Sequence, residues 1–326
     1  MAVSRWKRFK RAVRAAVVRG LIHLMSRLRL PAALALGGVV GRIAWALAPG
    51  LRRDMRTGLA TAFPERSPAE RDAVARECLV HLGWVGGEMV SFVGRPEAME
   101  RYVEVAPDAL ATIRRLRQSG NGIVMVLGHI GNWEFTCRLA PYLGSVGVIA
   151  KRSWHRSLDA LAERARASNG VATLWRGDAA TGRNMLKLLK TGGTLGILID
   201  QDIESVQKVF VPFFDRLAAT PRGAADLALR FGAAVLLVTC HRRGGAGQGL
   251  RIEVVEVPYD HQPPDVEAEV LRLTAACTRL QEEAIRRHPA EWVWMHQRWK
   301  TRPSPDKESS PRPARSGQAS ELGIPQ

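Results

Sequence analysis

Cysteine is scarce and scattered: the 326-residue chain has four, Cys78, Cys137, Cys240 and Cys277, with no CxxC pair and no Cys/His cluster at zinc spacing. That excludes a disulfide scaffold and a zinc module, and it suits a reducing compartment. No repeat recurs at any period of about 20 to 50 residues, so solenoid, coiled-coil and collagen architectures are excluded. GxGxxG, a glycine-rich phosphate loop and a metal-ligand cluster are all missing, and the expectation is no organic cofactor and no metal. Homeodomain, zinc-finger, RNP-type and helix-turn-helix patterns are missing too, which argues against a nucleic-acid-binding protein. Acid is missing from the front of the chain, where the first carboxylate is Asp54.

Apolar residues make up 46%, enough for a substantial core. Forty-eight Lys and Arg face thirty-one Asp and Glu, a net charge of +17 that favours polyanionic partners. The excess begins at the N-terminus, where nine basic residues precede Leu30 (Arg5, Lys7, Arg8, Lys10, Arg11, Arg14, Arg19, Arg27, Arg29). Between them Phe9, Val13, Val17, Leu21, Leu24 and Leu28 recur at helical spacing. A basic amphipathic helix of this kind lies in an anionic membrane surface. Arg42 interrupts the apolar run between Leu30–Gly41 and Ile43–Leu51. A bilayer span wants about 20 apolar residues and disfavours a central Arg, so interfacial attachment is expected rather than a span or a signal peptide. The alternative is a front segment that packs on the domain as ordinary helices.

From Thr57 to Val93 the pattern is helical, with Ser67-Pro68 and Glu70 as a helix start and Val74, Cys78, Leu82, Val85 and Met89 as its buried stripe. After Gly120-Asn121-Gly122 short apolar runs alternate with helical stretches. Strands are expected at Ile123–Leu127, Val146–Ala150, Val171–Leu174, Thr194–Ile199, Ala233–Thr239 and Arg251–Val257. Helices are expected at Leu158–Ala167, Ala179–Leu189, Arg222–Phe231 and Val266–Arg287. This is an α/β pattern: a mostly parallel central sheet flanked by helices, with a basic amphipathic helical N-terminus. The expected division is residues 1–56 as a membrane-associating segment, 57–302 as the α/β domain and 303–326 as a disordered Pro/Ser-rich tail.

One segment carries chemistry. The strand Ile123–Leu127 runs into Gly128-His129-Ile130-Gly131-Asn132-Trp133-Glu134, whose small residues let a ligand approach backbone at a strand end. Asn132 is placed to cap the next helix, with Glu134 in its first turn, from where the carboxylate could reach back to the His129 imidazole. That would be a base held by an orienting acid, as proton removal from a hydroxyl requires. A buried structural histidine fits the spacing as well.

His129-Ile-Gly-Asn-Trp-Glu134 resembles the HX4(D/E) motif of the glycerolipid acyltransferase superfamily, in the form carried by the lipid A biosynthesis lauroyl/myristoyl acyltransferases. Further blocks resemble that family in the same order: Lys151-Arg152 with Arg164 and Arg166 before Gly170, Asp200-Gln201-Asp202, Val211-Pro212-Phe213-Phe214, and Trp292 through Pro303 in a WxWxHxRWKxRP ending. Asp215 stands where the family usually has Gly, and Arg42 breaks the N-terminal apolar run.

The resemblance implies transfer of a fatty acyl chain from acyl carrier protein to a hydroxyl of a lipid A precursor, at the cytoplasmic face of the inner membrane. Carried over residue by residue, His129 is the general base and Glu134 its partner. Arg152, Arg164, Arg166, Asp200, Phe213, Phe214 and Arg298 are candidates for binding substrate, with the register between Arg164 and Arg166 open and the two phenylalanines expected along the acyl chain. Another acceptor, a mannosylated glycolipid or a lysophospholipid, with acyl-CoA as donor, stays open on the sequence.

Overall fold

The computed structural model describes residues 5–153 and 155–303, with side chains from residue 12 onward. The expected tail beyond Pro303 and the Phe9 end of the amphipathic stripe lie outside the described residues and side chains. Four helices open the chain: α1 (Arg5–Met25), α2 (Leu30–Leu47), α3 (Pro49–Ala62) and α4 (Pro68–Phe92). The start of α4 is the expected one, a capping box in which Ser67 Oγ accepts from Glu70 N and Glu70 accepts from Ser67 N. Two short helices, α5 (Pro96–Tyr102) and α6 (Pro107–Gln118), flank the edge strand β1 (Val103–Val105).

The α/β part follows. Strands β2 (Ile123–Leu127), β3 (Val146–Ala150), β4 (Val171–Trp175) and β5 (Thr194–Leu198) alternate with helices α7 (Ala140–Leu143), α8 (Arg156–Ala167) and α9 (Thr181–Lys190). A hairpin of β6 (Lys208–Phe213) and β7 (Arg216–Pro221) leads to α10 (Gly223–Phe231), β8 (Ala234–Arg242), β9 (Leu250–Glu256) and α11 (Val266–Arg287). Seven strands form one sheet in the order β1-β9-β8-β2-β5-β3-β4, parallel at every pairing except β8 with β9. All six strands expected from the apolar runs are present.

Alternation along β2 divides the core between the two faces of the sheet. Ile123, Met125 and Leu127 pack with Phe92, Ile113 and Phe135 on one side, and Val124 and Val126 pack with Ala228, Leu273 and Cys277 on the other. A third cluster joins α3 and α4 to the β6–β7 hairpin and the C-terminal segment around Phe213, Phe214, Trp292, Trp294 and Trp299. The cysteines are free and buried.

The helix α2 is seated on α4. A Cβ on Gly37 would lie 2.1 Å from the Gly83 carbonyl oxygen, and one on Gly41 2.3 Å from that of Leu79, so backbones touch where side chains would keep them apart. The opposite face of α2 carries Val39, Ile43 and Leu47 to the surface, and α1 exposes Val13, Val17 and Leu24.

Candidate active site

β2 is central and parallel to both neighbours, so its carboxyl end opens at the edge where parallel α/β sheets hold ligands. The segment after it is pinned on both flanks. Ile130 bridges to Trp292 and Gly131 to Cys240, with Asn132 N donating to the Cys240 carbonyl at 2.9 Å. Gly131 has φ +61°, and a Cβ there would sit 1.8 Å from the Cys240 oxygen; no other residue fits.

His129 is fixed by Asp200, which follows β5 next to it in the sheet. Asp200 Oδ1 lies 2.9 Å from His129 Nδ1, and Oδ2 accepts from His129 N at 2.7 Å and from Trp292 Nε1 at 2.9 Å. Burial alone would raise the Asp200 pKa. The His129 imidazole and these hydrogen bonds outweigh burial and hold it at about 2, below the usual 3.8. Because the carboxylate can only accept, Nδ1 carries the proton and Nε2 is the basic nitrogen. The imidazole is about a quarter exposed and stands 5.0 Å, edge to face, from Trp133.

This corrects the expected pairing. Glu134 does lie in the first turn of the next helix, but that helix is the 3-10 segment Trp133–Leu139, and both carboxylate oxygens are taken by Arg166, from Nε at 2.8 Å and Nη2 at 2.6 Å. The tighter 3-10 winding and the fork of Arg166, from the last turn of α8, give Glu134 a different partner. Of the two arginines between which the register is open, Arg166 is the one bonded to Glu134, and Arg164 is exposed on the same helix. The expected Asn132 cap is not made by its side chain, which donates from Nδ2 to Glu88 at 2.9 Å.

Below the Glu134–Arg166 pair is a cavity of about 30 Å³ whose walls are mainly apolar, among them Leu143, Val146, Val148, Ile149, Val171 and Leu198. The expected chain-lining phenylalanines are elsewhere. Phe213 and Phe214 are buried edge to face in the tryptophan cluster, with Phe214 and Asp215 (φ 51° and 58°) forming the two-residue turn of the hairpin. Arg298 is also away from the cavity. It is 1% exposed, bonded to the Ala219 carbonyl and Thr220 hydroxyl, and burial lowers its pKa to about 10. Its role here is to hold β7. Arg152 is exposed, over the Trp175 ring at 4.5 Å and 3.4 Å from Asp178.

The sequence reading missed the support behind the loop. Glu88, fully buried on α4, accepts from Arg242 (2.6 and 3.0 Å), Tyr102 Oη (2.8 Å) and Asn132 Nδ2. His81, two turns earlier on α4, contacts the Gly131 carbonyl through Nε2 at 3.1 Å and Arg242 Nε through Nδ1 at 2.9 Å. Gln281 Nε2 donates to the Leu127 carbonyl at 2.8 Å from α11. No spacing signal links such residues, which lie up to 161 positions apart. The hint was a glutamate on the buried side of an apolar helical stripe.

The arrangement supplies a base with a fixed tautomer beside a charged pair and an apolar cavity. Comparison with known proteins agrees with acyl transfer. The bacterial lipid A biosynthesis acyltransferase family matches residues 6–301. The chain is 27% identical to the lipid A biosynthesis lauroyltransferase of Escherichia coli K12 over 288 residues, 87% of this chain and 90% of the relative. It is 24% identical to the palmitoleoyltransferase of the same organism over 286 residues, with the same coverage. A phosphatidylinositol mannoside acyltransferase of Mycolicibacterium smegmatis is 28% identical over 184 residues, 56% of this chain and 58% of the relative.

Proposed function

The chain belongs to the bacterial lipid A biosynthesis acyltransferase family and is an acyltransferase, and we propose that it moves a fatty acyl chain from acyl carrier protein to a hydroxyl of a lipid A precursor, at the cytoplasmic face of the inner membrane. The observation that carries the reaction is the Nδ1 contact of His129 with Asp200, which leaves Nε2 as the base. Nε2 takes the proton of the acceptor hydroxyl as that oxygen attacks the thioester carbonyl. Collapse of the tetrahedral adduct breaks the C–S bond, and the imidazolium returns its proton to the departing thiolate. Asp200 offsets the imidazolium charge, a share of general-base catalysis worth about 10²–10⁴-fold. Glu134 orients Arg166 at the mouth of the apolar cavity, where the donor chain enters. At about 30 Å³ that cavity has the volume of roughly one water, so its walls part when the chain binds.

Membrane attachment is supported by the exposed apolar residues of α1 and α2 among basic ones: Val13, Val17, Leu24, Val39, Ile43 and Leu47 next to Arg14, Arg19, Arg27, Arg29 and Arg42. The partial likeness to a mannoside acyltransferase favours a second acceptor, a mannosylated glycolipid, with the same site chemistry. Mass spectrometry of lipid A from cells with and without the gene tests both. A gain of one acyl chain that depends on His129 supports the reading, and an unchanged lipid A profile refutes it.

A further inference from the structure

Between α2 and α4 runs an open groove of about 560 Å³, within the size range of small-molecule sites (roughly 300–1,000 Å³). Arg42 and Trp45 of α2 face Arg76, Val80 and Trp84 of α4, and Arg242 is part of its lining. The groove adjoins the catalytic loop. Two of its lining residues, His81 and Glu291, bond the Gly131 carbonyl and amide, two residues from His129. The apolar cavity begins at Trp133, further along the same loop.

Charge in the groove is unequally spent. Arg242 is neutralised by Glu88, and Arg56 by Asp72. Arg42 and Arg76 are exposed and form no ion pair with a described residue. Arg52, Arg56 and Arg76 gather around Trp45, their guanidinium carbons 5.9, 5.6 and 5.9 Å from its ring centre. Against them stand Asp72, which pairs with Arg56 and also feels the charges of Arg76 and Arg52, Glu77 at the lining, and Glu291, whose carboxylate is turned to Arg242 N. Guanidinium forks suit phosphate, and indole faces offer an apolar plane for the C–H face of a sugar ring. The exposed residues Val39, Ile43 and Leu47 belong to the same helix as Arg42 and Trp45. A glycolipid could therefore keep its chains in an apolar phase while its headgroup enters the groove.

We propose that this groove binds the phosphorylated saccharide headgroup of the acceptor, with Arg42 and Arg76 on phosphate and Trp45 and Trp84 against the sugars. This rests on the acceptor reading above and names the surface that presents the hydroxyl to His129.

Calorimetric titration with the deacylated, phosphorylated disaccharide of lipid A tests it, using the full chain and the double variant Arg42→Ala, Arg76→Ala. Both side chains are exposed, so the fold should survive, as melting would verify. Affinity should fall at least tenfold in the variant, and the dephosphorylated disaccharide should bind parent and variant alike. Equal affinity of parent and variant for the phosphorylated probe overturns the proposal. So does loss of binding confined to phosphatidylglycerol vesicles, which would make the groove a bilayer contact. Normal acyl transfer with an unchanged acceptor KM in the double variant refutes the groove and leaves the reaction standing. Headgroup binding through Arg42 and Arg76 without any acyl transfer refutes the reaction and leaves the groove standing.

Discussion

Asp200→Asn separates the two carboxylates that could serve His129. The wild-type Asp200 oxygens accept three hydrogen bonds, two of them on Oδ2 from His129 N and Trp292 Nε1. An asparagine must choose. With its amide nitrogen toward those two N–H groups, it confronts two buried donors with a third, at about 1–3 kcal/mol for each group left unsatisfied. With its oxygen there, the amide nitrogen donates to His129 Nδ1 and forces the proton onto Nε2. The second arrangement satisfies every donor and is the one expected. It leaves the base in the wrong tautomer without the charge that offsets the imidazolium, and the same change in a serine-protease triad lowers kcat about 10⁴-fold. Here kcat should fall roughly 10³–10⁴-fold, or about 4–5.5 kcal/mol in the barrier, with KM little changed. Single-turnover acyl transfer by purified, reconstituted enzyme gives the rate, and nitrogen-15 NMR of the imidazole gives the tautomer. Turnover within tenfold of the parent would refute the assignment. A larger loss in Glu134→Gln than in Asp200→Asn would return the orienting role to Glu134.

The support behind the loop should be visible in stability: Glu88→Gln leaves the Arg242 guanidinium buried without its counter-charge and should cost roughly 3–5 kcal/mol in denaturant unfolding, so a loss under about 1 kcal/mol would show that the network is not structural. Burial and then the charge of Arg242 hold the His81 pKa at about 4 against a usual 6.5, so the unfolded chain binds the extra proton and stability should fall as pH drops from about 6.5 to 4, by up to about 3 kcal/mol. Asp200 stays ionised through that window and adds to acid sensitivity only below pH 4, while His81→Gln should remove about one proton from the unfolding slope. Val148→Ala should widen the apolar cavity and shift donor choice toward longer chains by about 1–3 kcal/mol per methylene, read from competition between two acyl donors; an unchanged profile would exclude Val148 from the chain path.

Six of the seven strands of the sheet were legible because a buried parallel strand is a short apolar run between turn residues, and β2, β3 and β5 are such runs; the three-residue edge strand β1 is too short to give that signal. The β6–β7 hairpin was not, because its two-residue turn is Phe214-Asp215, where both residues take positive φ without the glycine or asparagine that signals such a turn. Burial of Phe214 and a bond from its amide to Glu282 hold that backbone in place, and neither shows in a local window. Gly131 was legible because only a close backbone approach requires a glycine there, whereas His129 stood out through the resemblance of its block, its spacing alone fitting a buried structural histidine equally well.

Its partner was misassigned because proximity in sequence is a poor guide at a strand end. Residues beyond the carboxyl ends of adjacent parallel strands are neighbours in space whatever their separation, and β2 and β5 lie side by side with Leu127 opposite Leu198. That register puts the residue two places after β5 beside the residue two places after β2, which are Asp200 and His129. Glu134, only five residues from His129, is carried away by the 3-10 turn to meet α8. The same geometry lets two residues 71 positions apart in the chain meet at one site. The crossovers between them, through β3 and β4, can vary in sequence as long as β5 returns to the side of β2. What the chemistry requires is that pairing, and the pairing is what places the carboxylate on Nδ1.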